Sequence, residues 1–113
     1  MVSSLGTAKA PTGVFASNDW MALGLMHRLV QDRIAVPGDL SIIGCVDIHT
    51  AAEISPGLST FRWDTDTLVR ELSSIIAGQD SCDPPTHKRV LLPVRFVTRD
   101  SLGPAPEQAA ADR

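Results

Sequence analysis

An α/β fold built on a mostly parallel sheet is the architecture this sequence predicts, and three observations predict it. Short apolar runs at residues 13–17, 40–46 and 58–62 read as strands. Stretches of helical period at about residues 19–32 and 64–77 alternate with them. The run Leu40-Ser41-Ile42-Ile43-Gly44-Cys45-Val46 is almost wholly apolar, as strands of a parallel sheet covered on both faces are. The order strand, helix, strand, strand, helix, strand is an α/β order.

Each element has a local cause. Residues 1–10 are small, polar and aperiodic, and read as a disordered lead-in. Pro11 introduces the first strand, which Asn18-Asp19 stops. Both are good N-cap types, and a carboxylate suits a helix N-terminus. The helix after them carries Met21, Leu25 and Leu29, with Ala22, Met26 and Val30 offset; Gly24 inside it costs about 1 kcal/mol against Ala. Pro37-Gly38-Asp39 makes a turn before the second strand. Residues 47–49 form a loop, 50–54 one helical turn, and Ser55-Pro56-Gly57 another turn. The third strand ends at Trp63-Asp64. The second helix shows an apolar stripe of Leu68, Leu72, Ile75 and Ile76, with Val69 alongside and Gly78 as its C′ residue. A polar loop over residues 79–88 leads to 90–97, a strand pair or one edge strand kinked by Pro93. The domain then spans residues 11–101, and 102–113 read as a disordered tail.

Composition narrows the function classes. The chain has 113 residues, enough for one domain that buries roughly 60–70% of its unfolded surface, and too few for a multi-domain enzyme. Ten Lys and Arg against 13 Asp and Glu give a net charge of −3, contrary to a protein that coats nucleic acid. No apolar run reaches the roughly 18–20 residues that span a bilayer, and the first ten residues lack the character of a signal peptide. Cys45 and Cys82 make no disulfide framework, so a reduced, cytoplasmic chain is the expectation.

Ligands of parallel α/β sheets sit at the carboxyl ends of strands. Three such ends are Asn18-Asp19, Asp47-Ile48-His49 and Trp63-Asp64. Carboxylates and an amide there suit hydroxyls, and an indole suits an apolar ring face. The plainer reading of Asp19 is a helix cap; Asp47 binds a ligand or caps the turn at Thr50; Trp20 packs; Trp63 packs or stacks. His27, His49 and His87 lack metal-ligand spacing, so no metal and no cofactor is expected. No nucleophile elbow, P-loop or dinucleotide-binding glycine motif occurs, and the chain is not read as an enzyme.

Four segments carry a resemblance. Phe15-Ala16-Ser17-Asn18-Asp19-Trp20-Met21-Ala22-Leu23-Gly24 resembles the F-A-x-N-D-x-M-A-L-G segment of the lac-repressor-like (LacI-type) transcriptional regulators. Val36-Pro37-Gly38-Asp39-Leu40-Ser41-Ile42-Ile43-Gly44 resembles their V-P-x-D-x-S-I-x-G segment. Ser55-Pro56-Gly57-Leu58-Ser59-Thr60 is similar to x-P-x-L-T-T, and residues 91–101 to the closing L-L-P-x-x-L-V-x-R-x-S. The four fall in order, at the family's spacing, across residues 11–101.

The resemblance implies a periplasmic-binding-protein-like (type I) three-layer α/β/α lobe, incomplete here, with a small sugar-like effector in a cleft. The chain is similar to roughly the last third of such a regulator. Operator DNA would be bound only through an N-terminal helix-turn-helix that the chain lacks. The implied ligand-binding residues are Asn18, Asp19, Asp47 and Trp63. Leu23 and Ile54 match dimer-interface positions, which implies a homodimer; core packing is the alternative for both. Val46 stands where the family usually has an effector-contacting acid, and Trp63 where it often has Gln, which makes the expected site more apolar. The second helix should lie uncovered in the absence of the first lobe, leaving the chain prone to dimerise or aggregate. Competing readings are part of a solute-binding protein for transport, or a small enzyme using Asp47 or His49.

Overall fold

The computed structural model describes residues 10–78 and 89–105. The expectations for residues 1–9, the loop with Cys82 and His87, and the end of the tail lie outside these residues. The elements run β1 (Gly13–Phe15), α1 (Asp19–Gln31), β2 (Ser41–Cys45), α2 (Thr50–Glu53), β3 (Ser59–Trp63), α3 (Thr65–Ile76) and β4 (Val94–Val97). They form the predicted α/β order around a sheet with strand order β1-β2-β3-β4. β1 pairs parallel with β2, placing Val14 opposite Ile42. β2 pairs parallel with β3, placing Gly44 opposite Thr60 and Cys45 opposite Phe61.

The chain makes two compact units, one from the residues up to Arg62 and from Phe96 onward, the other from Trp63 to Arg95. In the first unit, α1 buries Ala22, Met26 and Leu29 together with Leu40 and Ile42, while Ala51 and Leu58 complete the core. The strand period explains this: Ile42 and Gly44 face the core, while Ser41, Ile43 and Cys45 face the other way and are half-buried. Cys45, a free thiol, is on that second face. Residues 99–101 knit into the sheet. Ser101 Oγ donates to the Ile42 carbonyl at 2.6 Å and accepts from Ser59 N at 2.8 Å. The expected tail begins at Leu102, yet Gly103 N donates to Ser41 Oγ at 3.1 Å.

In the second unit, Asp64 caps α3 by accepting from Thr67 N at 3.1 Å and from Thr67 Oγ1 at 2.8 Å. That backbone hydrogen bond, with the hydroxyl, holds the Asp64 carboxyl below the usual carboxylate range. No residue of α3 is buried. Of the expected uncovered stripe, Leu72, Ile75 and Ile76 are exposed, as is Val69 alongside, whereas Leu68 is half-buried.

Candidate strand-end ligand site

The carboxyl ends of β1 and β2 carry the candidate groups of the first unit. Asn18 ends the extended stretch after β1, with φ −152° and ψ 163°. Its Oδ1 accepts from Met21 N at 2.9 Å, so Asn18, and not Asp19, caps α1. The amide nitrogen of Asn18 is a donor of the kind that a hydroxyl or carbonyl accepts from.

Asp19 is 0% exposed. Its Oδ2 accepts from Ile48 N at 2.8 Å and its Oδ1 from Thr60 Oγ1 at 2.6 Å. The carboxylate expected to meet a ligand is thus spent on tying α1, the loop after β2 and β3 together. Gly44 permits this, because a Cβ at position 44 would collide with the Asp19 carboxylate.

Asp47 is likewise committed to the protein: its side chain is 2% exposed. Oδ1 accepts from Arg99 Nη2 at 2.7 Å, and Oδ2 pairs with the Arg62 guanidinium. Burial pushes the Asp47 carboxyl up, but hydrogen bonds and charge from Arg99 and Arg62 outweigh it and hold it below the usual carboxylate range. Arg99 is fixed in turn, with Nη1 donating to the Leu58 carbonyl at 2.7 Å. Between the strand and this node lies Val46, at φ 111°, followed by Asp47 at φ 60°. A β-branched residue in that region is strained. The Val46 side chain is 48% exposed where the β2 end opens to solvent.

Trp63 ends β3, is exposed, and belongs to the second unit. Trp20, expected to pack, is 67% exposed. His49 lies 3.2 Å from Glu53 of α2, with both side chains exposed. Among the described residues no group of three or more His, Cys, Asp or Glu is placed to hold a metal ion. Leu23 and Ile54 line one apolar groove of about 620 Å³, together with Met26, Val30, Ile34 and Pro56. Thr60, Arg62 and Arg99 are the residues that candidate reading missed. Arg99 and Thr60 stand inside the quoted motifs, but only as letters; nothing in the sequence says that Asp47 and Asp19 are their partners.

The fold and this arrangement define a known class. The periplasmic binding protein-like domain family matches residues 2–102, and the chain belongs to that family. Its relatives are LacI-type transcriptional regulators, as the four segments imply. Over 103 residues it is 34% identical to the probable transcriptional repressor ExuR of Bacillus subtilis, covering 87% of this chain and 29% of that protein. Over 54 residues it is 56% identical to the repressor PurR of Vibrio parahaemolyticus, covering 48% of this chain and 16% of that one. Among solved structures, a LacI-family regulator of Enterococcus faecium with bound ribose matches with TM-score 0.75 and 33% identity, over 87% of this chain and 37% of that one. The chain thus spans well under half the length of these relatives. By name they are transcriptional regulators, PurR a repressor and ExuR a probable one, and none is named a transport protein or an enzyme. No helix among the described residues is long and apolar enough to cross a membrane.

Proposed function

We propose that this chain is the effector-sensing portion of a cytoplasmic LacI-type repressor, without catalytic activity, and that it takes a small sugar-like ligand at the carboxyl ends of its parallel strands. The observation that carries the reading is that Asn18 follows the end of β1 as the cap of α1, while Asp19 and Asp47 at the neighbouring strand ends are each held by hydrogen bonds within the protein. In this reading Asn18 meets the ligand directly, and Asp19 and Asp47 serve it by fixing the loops around it. Ribose in the Enterococcus faecium relative favours a pentose-sized ligand. The apolar groove at Leu23 and Ile54 is the surface through which two copies pair, and operator binding belongs to polypeptide outside this chain. The test is calorimetric titration with ribose, cellobiose and a set of nucleosides. One of them binds the wild-type chain, and Asn18→Ser, which retains a cap oxygen but loses the amide, weakens it by about tenfold, the worth of one good hydrogen bond. No binding by any of them, or binding unchanged in Asn18→Ser, refutes the site.

A further inference from the structure

The registers of the parallel strands set three residues level at their carboxyl ends. Phe15 pairs with Ile43 and Cys45 with Phe61, so the same offsets set Asn18 beside Val46 and Val46 beside Arg62. Two hydrogen bonds fix the row. Val46 N donates to the Phe61 carbonyl at 2.8 Å, and Ile48 N donates to Asp19, the neighbour of Asn18, at 2.8 Å. The row is thus an amide, an apolar side chain and a guanidinium. Two carboxylates and a second guanidinium adjoin it, but Asp19 and the Asp47 side chain are buried, and Arg99 is held against Asp47 and the Leu58 carbonyl. Of these four charges, that of Arg62 is the one turned to solvent: its side chain is 58% exposed against 16% for Arg99.

We propose that Arg62 selects a sugar carrying an anionic group, a carboxylate or a phosphate, and takes that group while Asn18 meets the hydroxyls. The inference rests on the effector reading and names the ligand class of that same site. Arg62 presents Nε and Nη2 to Asp47 Oδ2, which spends one edge of the guanidinium. The other edge, Nη1 with the second hydrogen of Nη2, makes no hydrogen bond among the described residues. Two parallel N–H donors match a carboxylate or a phosphate, and such charge-assisted bonds are roughly twice as strong as neutral ones. Asp47 orients the fork before a ligand arrives, and Arg99 in turn holds Asp47. Asp47 does not cancel the charge of Arg62, because its single negative charge is shared between two guanidinia. Val46, in the middle of the row, brings neither a charge that repels an anion nor an acceptor for a hydroxyl. A neutral sugar leaves the free edge of Arg62 to water, whereas an anionic one uses it.

The test is calorimetric titration of the chain with ribose, ribonate, ribose 5-phosphate and inorganic phosphate. Ribonate or ribose 5-phosphate binds at least about tenfold more tightly than ribose, and which of them does so tells carboxylate from phosphate. Arg62→Met, which keeps the length of the side chain, lowers that ratio to near one; Arg62→Lys, a point charge without the fork, keeps part of it. Far-ultraviolet circular dichroism and the urea midpoint confirm that the variants fold. Raising the salt concentration lowers the ratio in the wild-type chain, a readout that needs no variant. Anions bound no more tightly than ribose, a preference unchanged in Arg62→Met, or ribose 5-phosphate bound no more tightly than inorganic phosphate overturns the proposal. The effector reading outlives these results where Asn18→Ser still weakens ribose. Conversely, a preference abolished by Arg62→Met and untouched by Asn18→Ser removes the role of Asn18 and leaves that of Arg62. No binding by any of the four overturns both.

Discussion

Thr60 Oγ1 donates to Asp19 Oδ1 at 2.6 Å, joining the first turn of α1 to β3 across 41 positions of sequence. The same carboxylate accepts from Ile48 N, so one buried side chain holds the ends of three elements. Asp19→Ala leaves a buried hydroxyl and a backbone N–H without their acceptor. Each such orphan costs about 1–3 kcal/mol. The urea midpoint should fall accordingly, and Thr60→Val, which removes only one donor, should cost less than Asp19→Ala.

Two glycines separate close approach from mere tolerance. A Cβ at Gly44 meets the Asp19 carboxylate and Leu58, whereas one at Gly24 meets nothing within 4 Å. Gly44→Ala should destabilise by at least about 1–3 kcal/mol through overpacking. Gly24→Ala should stabilise by up to about 1 kcal/mol, as expected in a helix interior. Thermal unfolding of the two variants side by side checks both signs.

Much of this was legible in the sequence, and the limits are physical. The strands, both long helices and the parallel order follow from period and apolar runs, which report burial directly. Asn18 and Asp19 both read as cap candidates and as ligand candidates, because either side chain can cap a helix, and only the three-dimensional position of Gly44 lets Asp19 turn inward. Asp47 was found without Arg62 and Arg99, because salt bridges over 15 and 52 positions leave no periodic trace. Trp20 reads as a packing residue by its type, yet it faces solvent on α1. The contacts of Phe61 with Phe15 and Phe96 also escaped sequence reading, since three phenylalanines on three strands become neighbours only through register.

The turn after β2 should respond to residue type. Val46 sits at φ 111°, a region that glycine occupies without strain. Val46→Gly should raise stability by roughly 1 kcal/mol, set by relief of backbone strain. Val46→Ala, still carrying a Cβ, should not. Chemical denaturation at one pH distinguishes them.

The Asp47 node predicts an acid dependence with a definite sign. Its carboxyl is held below the ordinary range in the folded chain, so the stability it contributes is present above the unfolded carboxylate value near pH 4 and is lost as pH falls through the lower folded value. Asp47→Asn should flatten the stability profile below about pH 4, leaving the contribution of Asp64, whose carboxyl is also held low. The partners are unequal, since the Arg99 side chain is 16% exposed and that of Arg62 58%. Arg99→Met should cost about 3–5 kcal/mol, as breaking a buried pair does, and Arg62→Met no more than about 1 kcal/mol.

The most direct test of the central claim is a residue-resolved one. Backbone amide shifts of the chain are recorded by NMR during titration with ribose, cellobiose and nucleosides. A ligand-sensing strand end predicts saturable shifts at Ser17, Asn18, Val46 and Asp47, with α2 and the outer surface of α1 unmoved. No shift across the whole panel, or shifts confined to residues away from the strand ends, would contradict the assignment of this chain as an effector-sensing domain.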